Sequence, residues 1–127
     1  MAIKQQSKAQ KLLLEYRPTV WRKSVLEAVP GTGHKALQAC IEQMRLTQEL
    51  VAVLRNDKLL GKKLYWIISA TYMTERQLGS VDEILDHLAK NHEYIPRRTY
   101  FRLRGRAISI LDSHLEGLAM ENIQFSG

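Results

Sequence analysis

Residues Ile95 to Leu115 read IPRRTYFRLRGRAISILDSHL, and the fold turns on them. Arg97, Arg98, Arg102, Arg104 and Arg106 crowd the first half of the segment. Threaded through these charges are Tyr100, Leu103, Ala107, Ile108, Leu111 and Leu115. Steps of three and four residues place that apolar series on one face of a helix. Arg98 and Arg102 fall on the other side, with Phe101 between them. Such a helix packs on a small core and presents guanidinium groups to an anion. Arginine is a better fork than lysine for phosphate and for guanine edges. The expectation is the recognition helix of a helix-turn-helix unit.

Working back from this helix, Asn91-His92-Glu93-Tyr94 reads as a turn, Ile95 as a core plug, and Pro96 or Arg97 as the helix start, where proline is tolerated. The preceding Ser80-Val81-Asp82-Glu83 is a capping box, in which Ser80 accepts from the Glu83 amide and Glu83 reaches back. Val81, Ile84, Leu85 and Leu88 make an apolar stripe ending near Lys90. A further helix is expected over 62–74, with Leu64, Tyr65, Ile67, Ile68 and Tyr72 inward. The arginine helix should run to Glu116 with Gly117 as its cap. Gly105 in its interior either allows close approach to a backbone or is simply tolerated. The tail, residues 119–127, carries no strong signal.

The N-terminal region is also helical in pattern. Residues 4–17 carry a short apolar edge of Leu12, Leu13 and Tyr16. Pro18 should break or kink that run, with Thr19 capping a second helix over 20–28. Trp21, like Trp66, is expected as a core anchor. Pro30-Gly31-Thr32-Gly33 is a turn. Its continuation, PGTGHK, fails the phosphate-loop pattern: the spacing is wrong, Ala36 replaces Ser/Thr and no strand precedes. Over 34–55, Leu37, Ile41, Met44, Gln48 and Val51 step like a heptad seam, widened by Leu46, Leu50, Val53 and Leu54. That stripe suits an intramolecular hairpin or a dimer contact equally. Asn56-Asp57-Lys58 and Gly61 mark the next break.

The expected fold is therefore all-α: an N-terminal helical region (residues 1–60), a three-helix helix-turn-helix DNA-binding unit (61–118) and the tail. With 127 residues, 45% of them apolar, the chain can build one modest core. A net charge of +6 suits a nucleic-acid partner without demanding one. The lone Cys40 excludes an internal disulfide framework and a cysteine zinc cluster. No apolar run is long enough to span a membrane. No leader signal opens the sequence, so a cytoplasmic protein is expected.

The stretches GKKLYWIISATYM, SVDEILDHLAK and YIPRRTYFRLRGRAISILDSHLEG resemble the C-terminal half of phage-encoded transcriptional regulators of the ArpU and RinA type. In that family a T-Y/F-Y/F-R-x-R segment opens the recognition helix and an x-A-I/L segment follows. Thr99-Tyr100-Phe101-Arg102-Leu103-Arg104 and Ala107-Ile108 match it, while Pro96 stands where relatives often carry a serine cap. The resemblance covers roughly residues 60 to 118. It implies a helix-turn-helix similar to the sigma-factor region that reads the upstream promoter element. It also implies a regulator of phage or prophage genes in a bacterial host cell.

The candidate DNA-binding residues divide by role. Arg97, Arg98 and Arg102 lie in the first turns of the helix, which reach base edges in the major groove. Thr99 suits a phosphate. Phe101 suits a thymine methyl or, with the helix slightly rotated, the core. Arg104 and Arg106 suit phosphate clamping, which positions without specifying, and Lys62 and Lys63 could add to it. Bland counterparts stand beside these roles, since arginine runs and lysines are often plain solvated surface. His87 and His92 have no partner at metal-ligand spacing. Asp112-Ser113-His114 holds triad residue types as chain neighbours, whereas a triad needs spatial convergence. Asp82, Glu83 and Asp86 fit a helix N-terminus. A non-enzyme with no cofactor and no metal is expected. It would bind double-stranded DNA, and its further partners would be RNA polymerase and a second copy of itself. The rival expectations are a small terminase subunit for DNA packaging and a helical protein–protein adaptor.

Overall fold

In the computed structural model, residues 7–29, 31 and 34–125 are described, with side chains through Leu118. They form five α-helices and no strand. α1 spans Lys8–Ala28 and α2 spans His34–Ala52, running into a 3-10 turn at Val53–Asn56. α3 (Gly61–Tyr72), α4 (Val81–Asn91) and α5 (Arg97–Phe125) follow. The all-helical expectation holds for these residues.

α5 buries Tyr100, Leu103, Ala107 and Leu111, with Ile108 and Leu115 packed at the edge. Ile95 is buried as the plug ahead of the helix. Leu64, Ile67, Ile68 and Tyr72 of α3 and Ile84 and Leu88 of α4 join them. The same cluster takes in Ala9 and Leu13 of α1, Leu50 and Val51 of α2, and Leu54. Segments before and after residue 60 thus share one apolar interior. Truncating a fully buried leucine such as Leu13 or Leu54 to alanine would cost ~2–5 kcal/mol.

Polar groups lock the helices to one another. Ser7 caps α1 by accepting from the Gln10 amide at 3.1 Å. Its hydroxyl donates to Asp112 of α5 at 2.8 Å, and the Ala9 amide donates to the same carboxylate oxygen at 2.9 Å. Anionic Asp112 therefore sits at the positive end of the α1 dipole. At the far end of α3, the Arg17 guanidinium donates to the carbonyls of Thr71 (3.1 Å) and Thr74 (2.9 Å) and to the Thr74 hydroxyl (2.8 Å). The bond to Thr71 occupies a carbonyl that the end of α3 leaves orphaned; burial pushes the Arg17 pKa down. In the interior the Thr71 hydroxyl donates to the Ile67 carbonyl at 2.6 Å and lies 2.8 Å from the Tyr100 hydroxyl. A hydroxyl has one proton, so Tyr100 is the donor in that second bond.

The start of α3 is a tight elbow. Asp57 accepts from the amides of Leu59 (3.0 Å) and Leu60 (2.8 Å). A Cβ on Gly61 would lie 2.8 Å from the Arg55 carbonyl oxygen, so only glycine fits there without backbone movement. At α4 the Ser80 hydroxyl accepts from the Glu83 amide at 3.2 Å as expected. Glu83 reaches back one residue further than a standard box, to the Gly79 amide at 2.8 Å.

Several expectations are corrected. Pro18 does not end a helix: α1 runs through it. The proline ring and Leu14, whose carbonyl loses its helical donor, both lie on the exposed side. Solvent can serve that carbonyl there while α2 and α5 hold the other side. Trp21 is not a core anchor but 69% exposed. Trp66 is half-buried and stacks on His92, ring centroids 4.7 Å apart. The seam of α2 is partly rotated from the expected one. Leu50 and Val51 are buried as expected, but Cys40 and Thr47 join them, whereas Ile41 and Leu46 are exposed. Gly117 does not cap α5, which continues to Phe125. Gly31 adopts the left-handed φ of 80° that suits a turn; Pro30, Thr32 and Gly33, and residues 4–6 of the expected first helix, lie outside the described residues.

Candidate nucleic-acid interface

The burial of Tyr100, Leu103, Ala107 and Leu111 fixes the rotation of α5, and with it the direction of every arginine. Opposite that face lie Arg98, Phe101, Arg102, Gly105 and Ser109, all exposed. Phe101 is 40% exposed and outside the core. Its ring stands edge-on to Tyr100 at 5.3 Å. The alternative in which Phe101 joins the core is thereby excluded.

The five arginines of α5 have different neighbours. Arg97 donates to Asp82 at the start of α4, 2.9 Å away. It also lies 5.7 Å from the Phe101 ring. Arg104 is half-buried, with its guanidinium 5.1 Å from the Phe101 centroid and 5.5 Å from that of Tyr100. Arg106 reaches Asp57 at 3.4 Å. Arg98 and Arg102 are exposed and have no ion-pair or hydrogen-bond partner among the described residues. Spaced by four, Arg98, Arg102 and Arg106 form one ridge along the helix.

That ridge leads to a second basic feature. Arg106 touches Asp57, which lines a cleft of about 430 Å³ at the start of α3. Arg55, Lys58, Lys62 and Lys63 bring four cations to its walls, against Asp57 and Glu93. Lys63 pairs with Glu93 at 3.5 Å, Arg55 lies over the Tyr65 ring at 3.8 Å, and Lys62 is exposed and unpaired among the described residues. The two backbone amides beside Asp57 hold its carboxyl below the usual carboxylate range, and Arg106 adds to the effect. Sequence reasoning named Lys62 and Lys63 but missed Arg55 and Lys58. The run RNDKLLGKK holds all four, but a turn residue and a helix residue are only seen to converge once Gly61 lets the elbow close.

The arrangement can donate planar, charge-assisted hydrogen bonds from Arg98 and Arg102 to anionic or acceptor-rich edges. Half-buried Thr99 lies beside them. Elsewhere the residue types that resembled catalytic sets are dispersed. The Asp112 carboxylate is bonded to Ser7 and Ala9. The His87 carbonyl accepts from the Asn91 side chain at 2.8 Å. Among the described residues no group of three or more His, Cys, Asp or Glu could hold a metal ion. No helix among them is long and apolar enough to cross a membrane. Comparison with protein-family models, with curated proteins and with solved structures finds no match to this chain.

Proposed function

We propose that the chain is a sequence-specific double-stranded-DNA-binding transcriptional regulator of phage or prophage genes, similar to the ArpU and RinA type. In this proposal α4, residues 92–96 and α5 are the helix-turn-helix, with α3 as its supporting helix. The observation that carries it is the pair Arg98 and Arg102. Both stand in the first two turns of α5, opposite its buried face, with no partner among the described residues. An arginine pair one turn apart on the outward face of a helix suits bidentate contact with guanine O6 and N7 in the major groove. Arg97 divides its charge with Asp82 and acts as an orienting contact between α4 and α5 rather than a base reader. Lys62, Lys58 and Arg106 serve the phosphates, which set register and affinity.

The test is a mobility-shift titration at controlled salt, on a site selected from random DNA. Arg98→Ala and Arg102→Ala are each expected to lower specific affinity by ~1–3 kcal/mol and relax discrimination at one position. Lys62→Ala should weaken binding evenly across sequences and flatten the salt dependence by about one unit of slope. Identical binding by parent and both arginine variants would sink the proposal. Absence of any salt-dependent DNA binding would favour an adaptor that meets an acidic protein surface.

A further inference from the structure

α1 is apolar on two opposite faces. Its inward side buries Ala9, Leu13 and Thr19 against the rest of the fold. On the outward side Leu14, Pro18, Trp21, Val25 and Ala28 step by four, three, four and three residues, and all five are exposed. Leu14 is 51% exposed, Trp21 69% and Val25 40%. Such a step pattern is a coiled-coil seam, which supercoiled helices bury against one another. Trp21 borders an open cleft with Met44, Met73 and Thr74, yet the greater part of its surface stays in solvent.

The charges beside the seam select the occupant. Glu15 and Arg22 each follow a seam residue directly, two helical turns apart on the same flank. Both are exposed, and neither has an ion pair among the described residues. Two copies of α1 laid antiparallel, with their twofold axis near residues 18 and 19, would set Glu15 of each against Arg22 of the other. Parallel pairing would instead set Arg22 against the opposite flank, which carries Gln10, Arg17 and Ser24 and no carboxylate. Arg17 is in any case bonded to α3. An isologous contact needs one self-complementary patch, and this is one.

We propose that the outward face of α1 is a homodimer interface, in which two copies of this chain pair α1 antiparallel through Leu14, Pro18, Trp21 and Val25, with reciprocal Glu15–Arg22 ion pairs. The inference stands independently of DNA binding. It also places the self-association surface on α1 rather than on the α2 stripe.

Sedimentation equilibrium on the full chain tests it. The parent should show a reversible monomer–dimer equilibrium, and Trp21→Glu should abolish it. Glu15→Arg and Arg22→Glu should each weaken the dimer about tenfold, because each turns two attractive pairs into two repulsive ones. The double reversal Glu15→Arg/Arg22→Glu should return the parent's affinity. Circular dichroism should be unchanged throughout, since all three side chains are exposed in the single chain, and the thermal transitions should coincide at concentrations where the parent is monomeric. A parent monomeric at every concentration, a closed ring of more than two copies, a dimer that survives Trp21→Glu, or a double reversal no tighter than either single one would overturn it.

Discussion

Gly105 sits on the outward ridge of α5 between Arg102 and Ser109, and a Cβ built there meets nothing within 4 Å. Within the fold, then, the glycine serves no packing purpose, while its conformational freedom costs the helix. Gly105→Ala should raise stability by ~1 kcal/mol in urea unfolding. If α5 lies in a groove, the added methyl stands where the helix backbone comes closest to DNA. The same variant should then bind the selected site more weakly while unfolding later. Asp57 supports a different prediction. Its folded pKa is lowered by the Leu59 and Leu60 amides. Its contribution is thus present above the unfolded pKa and lost as pH falls through the folded value. Stability should decline below about pH 4. Asp57→Asn, which keeps an oxygen for the amides but cannot titrate, should show a shallower acid decline in thermal melts at stepped pH. Equal slopes would mean that the Asp57 carboxylate does not matter to the elbow.

At the level of helices, Pro18 is the clearest case of tertiary context overriding local preference. An isolated α1 would break there, but packing on α2 and α5 carries the helix through. Pro18→Ala restores the missing amide on the exposed side and should stabilise the chain by up to ~3 kcal/mol, read by chemical denaturation. A loss of stability would mean that the proline sets a bend the fold requires. The same contrast separates what was legible in the sequence from what was not. Ser80, Ile95 and the series Tyr100, Leu103, Ala107 and Leu111 were legible because caps, plugs and helical spacing are local. α1 and α2 were legible only in part, because each has two apolar stripes and periodicity cannot say which faces inward along the whole helix. In α1 the edge of Leu12 and Leu13 does pack inward as its spacing predicts, but the Trp21 side expected to anchor the core is exposed, and Ala9 and Thr19 are buried instead. In α2, Val51 and Leu50 are buried as the stripe predicts, but Cys40 and Thr47 are buried in place of Ile41 and Leu46. The outward direction of Arg98 and Arg102 followed from spacing alone. Their separation from Arg97 and Arg106 did not, since Asp82 and Asp57 lie far away in the chain.

For the whole molecule, the common interior joining Leu13, Leu54, Ile67, Leu88 and Leu111 implies that the regions before and after residue 60 unfold together. Ellipticity and tryptophan emission should trace coincident transitions, as expected when one cooperative unit melts. The Asp112 carboxylate extends this unity to time. It holds the Ser7 hydroxyl and the Ala9 amide across separations of 105 and 103 residues, so nearly the entire chain must be in place before these bonds close. The opening amides of a helix have no acceptor within it and ordinarily trade their protons with solvent at once. Ala9 should be protected all the same, and only while α1 is seated on α5. Its deuterium uptake therefore reports the docking of the two helices rather than the formation of either. Asp112→Ala should release that single proton early while leaving those in the middle of α1 slow.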